Sequence, residues 1–479
     1  MADMAGRSLT DEERRTLLAE LSEIPVDADA DAEVIHTFLP SSVYQHALGK
    51  RVLVIRGERG AGKTALFMLI RAAGKSGIPL GELIEGAPEG TMIEGFSEAG
   101  TNHPPSDMVE RFATTAPQEA LRAFWLGHLA GRLARDMYPK VELPPAFASA
   151  YTEHRTDLER WVPVAQAALP ELYAWLDRVD GAATTTCFVL YDHLDRIAAN
   201  QGEVRTKLVI ALVGLWMSLS QRYERVRGKI LLREDLFQGV LTSFADATKL
   251  EARSVRLEWT AGKLYALLVR RMAQSPKLGE WLKEVAGVPL TEHKRLGWVP
   301  KSDFDEGDQR RFAMQLVGQY MGAGPTKGVS YRWIITHLQD AHLRVTPRSV
   351  LELVRGAAET ALKRGPKATY RKLLDPTELQ MSLEMASRRR VNELKEDYSV
   401  VESLESLRDQ NLFLTKSEVI AALRKWSRAA ESRLPPSDVF DELMRLGVLS
   451  DRGGDRIDIP DVFRYAFGIK RKGGVRRVA

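Results

Sequence analysis

The sequence predicts an α/β domain, a parallel sheet with helices on both faces, followed by a helical lid and a C-terminal winged-helix domain. Three observations predict it. Short β-rich runs alternate with helical patterns up to about residue 259, which is the pattern of a parallel sheet covered on both sides. The first of those runs, "RVLVIRGERGAGKTALF" at 51–67, breaks into a glycine loop and then opens a helix. Beyond residue 412, short helices are followed by two β-type runs around a glycine turn, "VLSDRGGDRIDI".

The elements follow in order. Residues 1–33 are polar and acidic ("DADADAE") and read as a flexible segment with one short helix at "DEERRTLLAEL". Residues 34–259 carry the sheet, with strands expected at 51–56, 91–95, 186–191, 229–233 and 254–258. Between them, "PQEALRAFWLGHLAGRLARDM" (117–137) places Leu121, Phe124, Trp125, Leu129 and Leu133 on one helix face. "VRTKLVIALVGLWMSLSQRY" (204–223) is apolar nearly all round and reads as a helix packed on the sheet. From about 260 the strand signals fade. Residues 260–412 read as the lid, with helices at 261–274, 331–342 and 346–365 and a charged helical stretch after 380. Residues 413–479 read as the winged helix with a basic tail.

Length and composition narrow the classes. At 479 residues the chain is too long for one core. A net charge of +4 does not by itself imply a nucleic-acid partner. No apolar run reaches the roughly 18 residues needed to span a bilayer, so no membrane partner is expected. The single cysteine, Cys187, excludes an internal disulfide and fits a cytoplasmic location.

The glycine loop carries the chemistry. Gly57-x-x-x-x-Gly62-Lys63-Thr64 fits the P-loop pattern, and the strand before it and the helix after it are the context that pattern needs. The fold class is therefore an α/β P-loop NTPase. The glycines permit backbone angles that a side chain forbids. The N–H groups of Gly60, Ala61, Gly62 and Lys63 can surround a β-phosphate, and Lys63 adds a point charge toward the β- and γ-phosphates. Thr64 can offer its hydroxyl to Mg²⁺. With Ala65 in the first helical turn, these residues form the expected ATP-binding set.

A P-loop needs an acid at the end of a buried strand to hold the magnesium. "TTTCFVLYDHLDRI" supplies Asp192. Asp195, three residues on, can orient the attacking water, or it can serve as a cap or ion-pair partner. Arg233 ends the strand "KILLR" and can sense the γ-phosphate, or it can start the next helix or form an ion pair. Arg348, in "VTPRS" at the start of a lid helix, can couple the lid to the nucleotide. Arg270 and Arg271 form a pair that could serve a neighbouring subunit. No acceptor site of a phosphotransferase is visible.

"GERGAGKT", "FVLYDHLDRI", "KILLRED", "VTPRS" and a terminal winged helix, in this order, resemble the AAA+/STAND-type branch of P-loop ATPases. The set is similar to bacterial ATPases related to origin-recognition and KAP-like NTPases. KAP-like relatives read "DDLDR" where this chain reads "DHLDR", so His193 stands in place of a second acid and the catalytic role shifts to Asp195. The resemblance implies a slowly hydrolysing, ATP-dependent switch of the kind used in bacterial defence or mobile-element control. It would work with a separate protein effector and as a homo-oligomer.

The C-terminal module raises the alternative of a DNA-binding ATPase that loads or remodels a partner on DNA. In "SDVFDELMRLG", Asp438, Asp441, Glu442 and Arg445 share one helix face, with Ser437 expected as the cap. Three acids on the face that a DNA reader presents to the groove repel phosphate. Only the basic run at 470–477 favours DNA. A protein-facing wing is therefore the expected use.

Overall fold

A computed structural model describes residues 8–27, 34–97, 103–198, 201–365, 370–412, 414–429 and 434–471. The chain divides into two compact units, Ala32–Glu258 and Trp259–Ala479 together with Met1–Asp31.

The first unit is built on five parallel strands: β1 (Val54–Gly57), β2 (Gly90–Phe96), β3 (Thr186–Tyr191), β4 (Val226–Arg233) and β5 (Ser254–Arg256). All five expected strands form, with ends shifted by up to a few residues. Val52 and Leu53, expected in the first strand, precede β1 as buried, non-strand residues. The spatial order is β2-β3-β4-β1-β5. The chain thus leaves β1, crosses to the far edge at β2, and returns strand by strand. Because every pairing is parallel, the carboxyl ends of β1, β3 and β4 open on one side of the sheet.

Burial explains why these runs became strands. All six residues of β3 are buried, as a central strand covered on both faces requires. Cys187, Val189 and Tyr191 join one core with Trp125 and Phe124 of the helix Gln118–Asp136 and Trp216 of the helix Gly202–Arg222. The alternate residues Phe188 and Leu190 are equally buried and point to the opposite face. The helix Lys63–Lys75 packs against β1, β2 and β4 with Leu66, Phe67, Leu69 and Ile70 buried.

Of the segment expected to be flexible, residues 8–27 are described, and they pack in the second unit. The helix Asp11–Ser22 starts in a capping box between Thr10 and Glu13 and buries Leu17, Leu18 and Leu21. Arg14 reaches Glu378 at 2.7 Å with both side chains buried, and donates to the Leu373 carbonyl at 2.9 Å. Beyond Asp27, the acidic run "DADADAE" lies outside the described residues. The helices Ala261–Met272, Pro347–Leu362 and Pro376–Lys395 form the body of the unit. The expected helix 331–342 is shorter, Ser330–Thr336, because the Asp340 carboxylate then accepts the N–H groups of His342 and Arg344 at 2.9 Å and turns the chain.

Two strands that the sequence did not suggest, β6 (Leu290–His293) and β7 (Gly297–Pro300), pair antiparallel. Thr291, Glu292 and His293 are all exposed, so no alternation marks the run. The hairpin is held from beneath. Arg270 is fully buried and donates to the carbonyls of Trp298 (2.6 Å) and Leu296 (2.7 Å). That accounts for Arg270, whose guanidinium turns into its own unit; Arg271 is likewise buried.

Towards the C-terminus, β8 (Asn411–Leu412), the helices Lys416–Ala429 and Pro436–Arg445, the antiparallel pair β9 (Ser450–Asp451) and β10 (Ile457–Asp458), and β11 (Lys470–Arg471) follow. β11 pairs parallel with β8. Pro435, not Ser437, occupies the cap position of the second helix, and the Ser437 hydroxyl donates to Asp438 instead. The tail residues Lys472, Arg476 and Arg477 lie outside the described residues.

Candidate nucleotide-binding site

β1 ends at Gly57, and the helix Lys63–Lys75 begins six residues later. Between them, Gly60 (φ 79°) and Gly62 (φ 91°) adopt left-handed backbone that L side chains resist. A Cβ on Gly57 would lie 3.0 Å from that of Ala61, so this end of the loop is closed to larger residues. Gly62 is the N-cap and offers no side chain, so the first turn, with Thr64 and Ala65, receives no side-chain cap. Its N–H groups keep the anion-binding character of a helix start. One amide expected to face phosphate is engaged within the loop: Ala61 N–H donates to Glu58 C=O at 3.1 Å.

Lys63 is buried and folds back on the loop, donating from Nζ to the carbonyls of Gly57 (2.7 Å) and Glu58 (2.9 Å). Burial pushes its ammonium down to about 8, against the pull of Asp192 and Asp195. Neutral carbonyls hold the ammonium without cancelling its charge, as a phosphate-binding lysine requires.

Asp192 follows the last residue of β3. Its N–H donates to the Phe96 carbonyl at 3.0 Å, tying the ends of β2 and β3 together. The carboxylate is buried, and Oδ2 has no hydrogen-bond partner. Burial raises its pKa, with His193 and Lys63 pulling the other way. A buried carboxylate oxygen without a donor fits a cation. Together with the Thr64 hydroxyl, Asp192 has the donor set to hold Mg²⁺. His193 has φ 56°, rare for a side chain of its size, and its Nδ1 lies 3.6 Å from that free oxygen.

Arg233 closes the site from the end of β4. It makes a two-pronged pair with Asp235 (3.0 Å from each of Nε and Nη2), and Nη1 lies 3.7 Å from Asp195. Asp195 thus lies within ion-pair reach of Arg233. Lys63, Asp192, Asp195 and Arg233 are brought into one electrostatic neighbourhood at the carboxyl ends of β1, β3 and β4. Arg348 is placed in the other unit, where Asp27 and Glu393 hold it at 2.8 Å each.

Sequence reasoning missed three supports. Asp235 orients Arg233, and its signal was the acid two residues on in "LLRED". Arg256 of β5 reaches the loop residue Glu58 at 3.4 Å. Lys229 of β4, fully buried, donates to Val52 and Gly49 carbonyls at 2.6 Å each and pins the turn that leads into β1. Nothing in the pattern "KILLR" distinguishes such a lysine from a strand-edge charge.

Strand, loop and helix make this an α/β P-loop fold. No protein-family model matches the chain, and no curated protein does. Among solved structures the chain is similar to Cdc6p from Pyrobaculum aerophilum, at 13% identity and a TM-score of 0.32, over 91% of this chain and 95% of that one. It is also similar to the ORC2 protein of Aeropyrum pernix. For the ADPNP–ADP complexes the identity is 12% and the TM-score 0.31, over 91% of this chain and 95% of that one. For the ADP form the identity is 11% and the TM-score 0.31, over 94% and 88%. Among the described residues no helix is long and apolar enough to cross a membrane.

Proposed function

We propose that the chain is a Mg²⁺-dependent ATP-binding switch of the AAA+/STAND type that hydrolyses ATP slowly. The observation that carries this reading is the convergence of Lys63, Asp192, Asp195 and Arg233 beside a glycine loop that opens a helix. In it the loop amides and Lys63 bind the phosphates. Thr64 and Asp192 hold the metal, which when bound neutralises charge developing on the phosphate oxygens. Asp195 positions water, and Arg233 reads the γ-phosphate. His193 supplies no carboxylate beside Asp192, which supports slow turnover. In this reading residues 260–412 act as the lid, with Arg348 as its nucleotide-responsive group, and 413–479 as a winged helix that passes the state to a cytoplasmic protein effector or a second copy. Use in bacterial defence or mobile-element control belongs to the same reading.

Isothermal titration with ATP and Mg²⁺, followed by a steady-state phosphate-release assay, tests it. Binding with slow turnover is expected, and absence of ATP binding by the folded chain would sink it. A second reading, an ATPase that loads a partner on DNA, is favoured by the basic residues between 470 and 477. Size-exclusion chromatography with light scattering, with and without ATP and duplex DNA, separates the two. A change of assembly with ATP alone is expected for the switch, and one that needs DNA for the loader.

A further inference from the structure

We infer that Asp27 is a latch that withholds Arg348 from anionic ligands. The inference rests on the reading of Arg348 as a nucleotide-responsive group. Arg348 sits in the first turn of the helix Pro347–Leu362, the place from which a lid arginine would act. There it is spoken for. Its Nε lies 2.8 Å from Asp27 Oδ1, and its Nη1 lies 2.8 Å from Glu393 Oε1. Asp27 is gripped from its other side by Arg389, whose Nη2 lies 2.5 Å from Oδ2. Arg389 in turn pairs with Glu352, and Arg390 with Glu393 at 3.6 Å. Arg355 shares Glu352 and also pairs with Glu359, so four guanidinium groups and four carboxylates balance. A phosphate that recruits Arg348 therefore competes with these carboxylates for it.

Of these acids, Glu352, Glu359 and Glu393 are fixed on the helices Pro347–Leu362 and Pro376–Lys395. Asp27 alone lies outside a helix. The helix Asp11–Ser22 ends, Ile24 and Val26 are buried, and Asp27 follows, shortly before the first unit begins at Ala32. Asp27 is thus the last described residue before one of the two places where the chain passes between the units. Asp27 and Arg348 are partly exposed, at 35% and 23%. The contact is thus weak enough to open and strong enough, through Arg389, to bias the arginine. The latch turns the N-terminal segment into a regulator of nucleotide affinity.

The test is a double-mutant cycle on the full chain, reading ATP affinity by calorimetry at fixed Mg²⁺. Asp27→Asn keeps the shape and removes the charge, and it is expected to tighten ATP binding about five-fold. Arg348→Ala is expected to weaken binding, and the double variant should match Arg348→Ala, the gain having vanished. Glu393→Gln, on a rigid helix, serves as the second variant and should give a smaller gain in the same direction. If Arg348→Ala weakens binding while Asp27→Asn gives no gain, the latch is wrong and the nucleotide role of Arg348 stands. If Arg348→Ala and Asp27→Asn both leave affinity unchanged, both fall. A gain in Asp27→Asn that survives loss of Arg348 also overturns the latch.

Discussion

Lys63 is poised by two opposing effects. Burial lowers its proton affinity, and the carboxylates of Asp192 and Asp195 raise it, leaving the ammonium at about 8. A bound triphosphate favours the charged form, so binding needs the proton that the free protein starts to lose near pH 8. ATP affinity should therefore be flat below that value and fall as pH rises to 9.5, which calorimetry across the range would check. Lys63→Ala removes a charge-assisted contact worth about 1.5–3 kcal/mol, roughly 10–150-fold in affinity, and should abolish the pH dependence. The two acids should separate. Asp192→Asn should weaken Mg²⁺-dependent ATP binding, because it places an amide where a cation fits. Asp195→Asn should leave binding intact and slow phosphate release. Unchanged turnover in the second variant would free Asp195 for a purely structural pairing with Arg233.

Within the sheet unit, the end of β2 is held by a buried hydrogen-bond chain with one direction. Tyr151 Oη lies 3.0 Å from His128 Nδ1, His128 Nε2 lies 3.0 Å from His103 Nδ1, and His103 Nε2 lies 3.1 Å from Glu94 Oε1. Glu94 accepts only, so His103 donates to it, His128 donates to His103, and Tyr151 donates to His128. The order holds only while both imidazoles are neutral. Burial holds both below their usual range, His128 the more strongly, helped by Arg132 and Arg135. Burial also pushes Glu94 up, but hydrogen bonds from His103 and Ser97 outweigh it and keep the carboxyl at about 2, with Arg71 adding to the effect. The unfolded chain takes up protons on these histidines near pH 6.5, before the folded chain does. Their stabilisation is complete above that pH and lost as pH falls below it. The Glu94 share is lost between about 4.5 and 2. Thermal midpoints should fall from pH 7 to pH 5 in wild type and fall less in His103→Gln, which keeps a donor and an acceptor without titrating there. Equal slopes for the two proteins would remove the chain from the account.

For the whole molecule, the charge on the last module decides between protein and DNA as a partner. On the helix Pro436–Arg445, Asp438 and Asp441 are exposed, and Arg445 is spent on Glu442 at 2.8 Å. The buried face is Val439, Phe440 and Leu443, and Met444 is only half-buried. Duplex DNA should thus bind weakly, without sequence preference, and only through Lys470, Arg471, Lys472, Arg476 and Arg477. Neutralising at most five phosphates bounds the log–log salt slope at about −4.5. Fluorescence anisotropy on the full chain and on a chain ending at residue 469 would measure it. Tight, selective binding that survives the truncation would promote the DNA-loading reading.

The sequence by itself determined what depends on neighbours along the chain. The short continuous apolar run "TCFVLY", the glycines around Lys63 and an acid at a strand end are local signals. They located β3, the loop and Asp192, because backbone angle and local hydrophobicity are set within a few residues. Only the tertiary structure decided what depends on partners far apart in sequence. Arg233 meets Asp195 because β4 lies beside β3, and Asp27 meets Arg348 because an acidic segment packs on a distant helix. The β6–β7 hairpin has no alternating pattern, since its first strand is exposed through Thr291, Glu292 and His293. It stands because the buried Arg270 supplies donors to its carbonyls. A side chain's charge is written in the sequence. Whether that charge is free, neutralised or caged by carbonyls is a matter of dielectric and distance, and those exist only once the chain has folded.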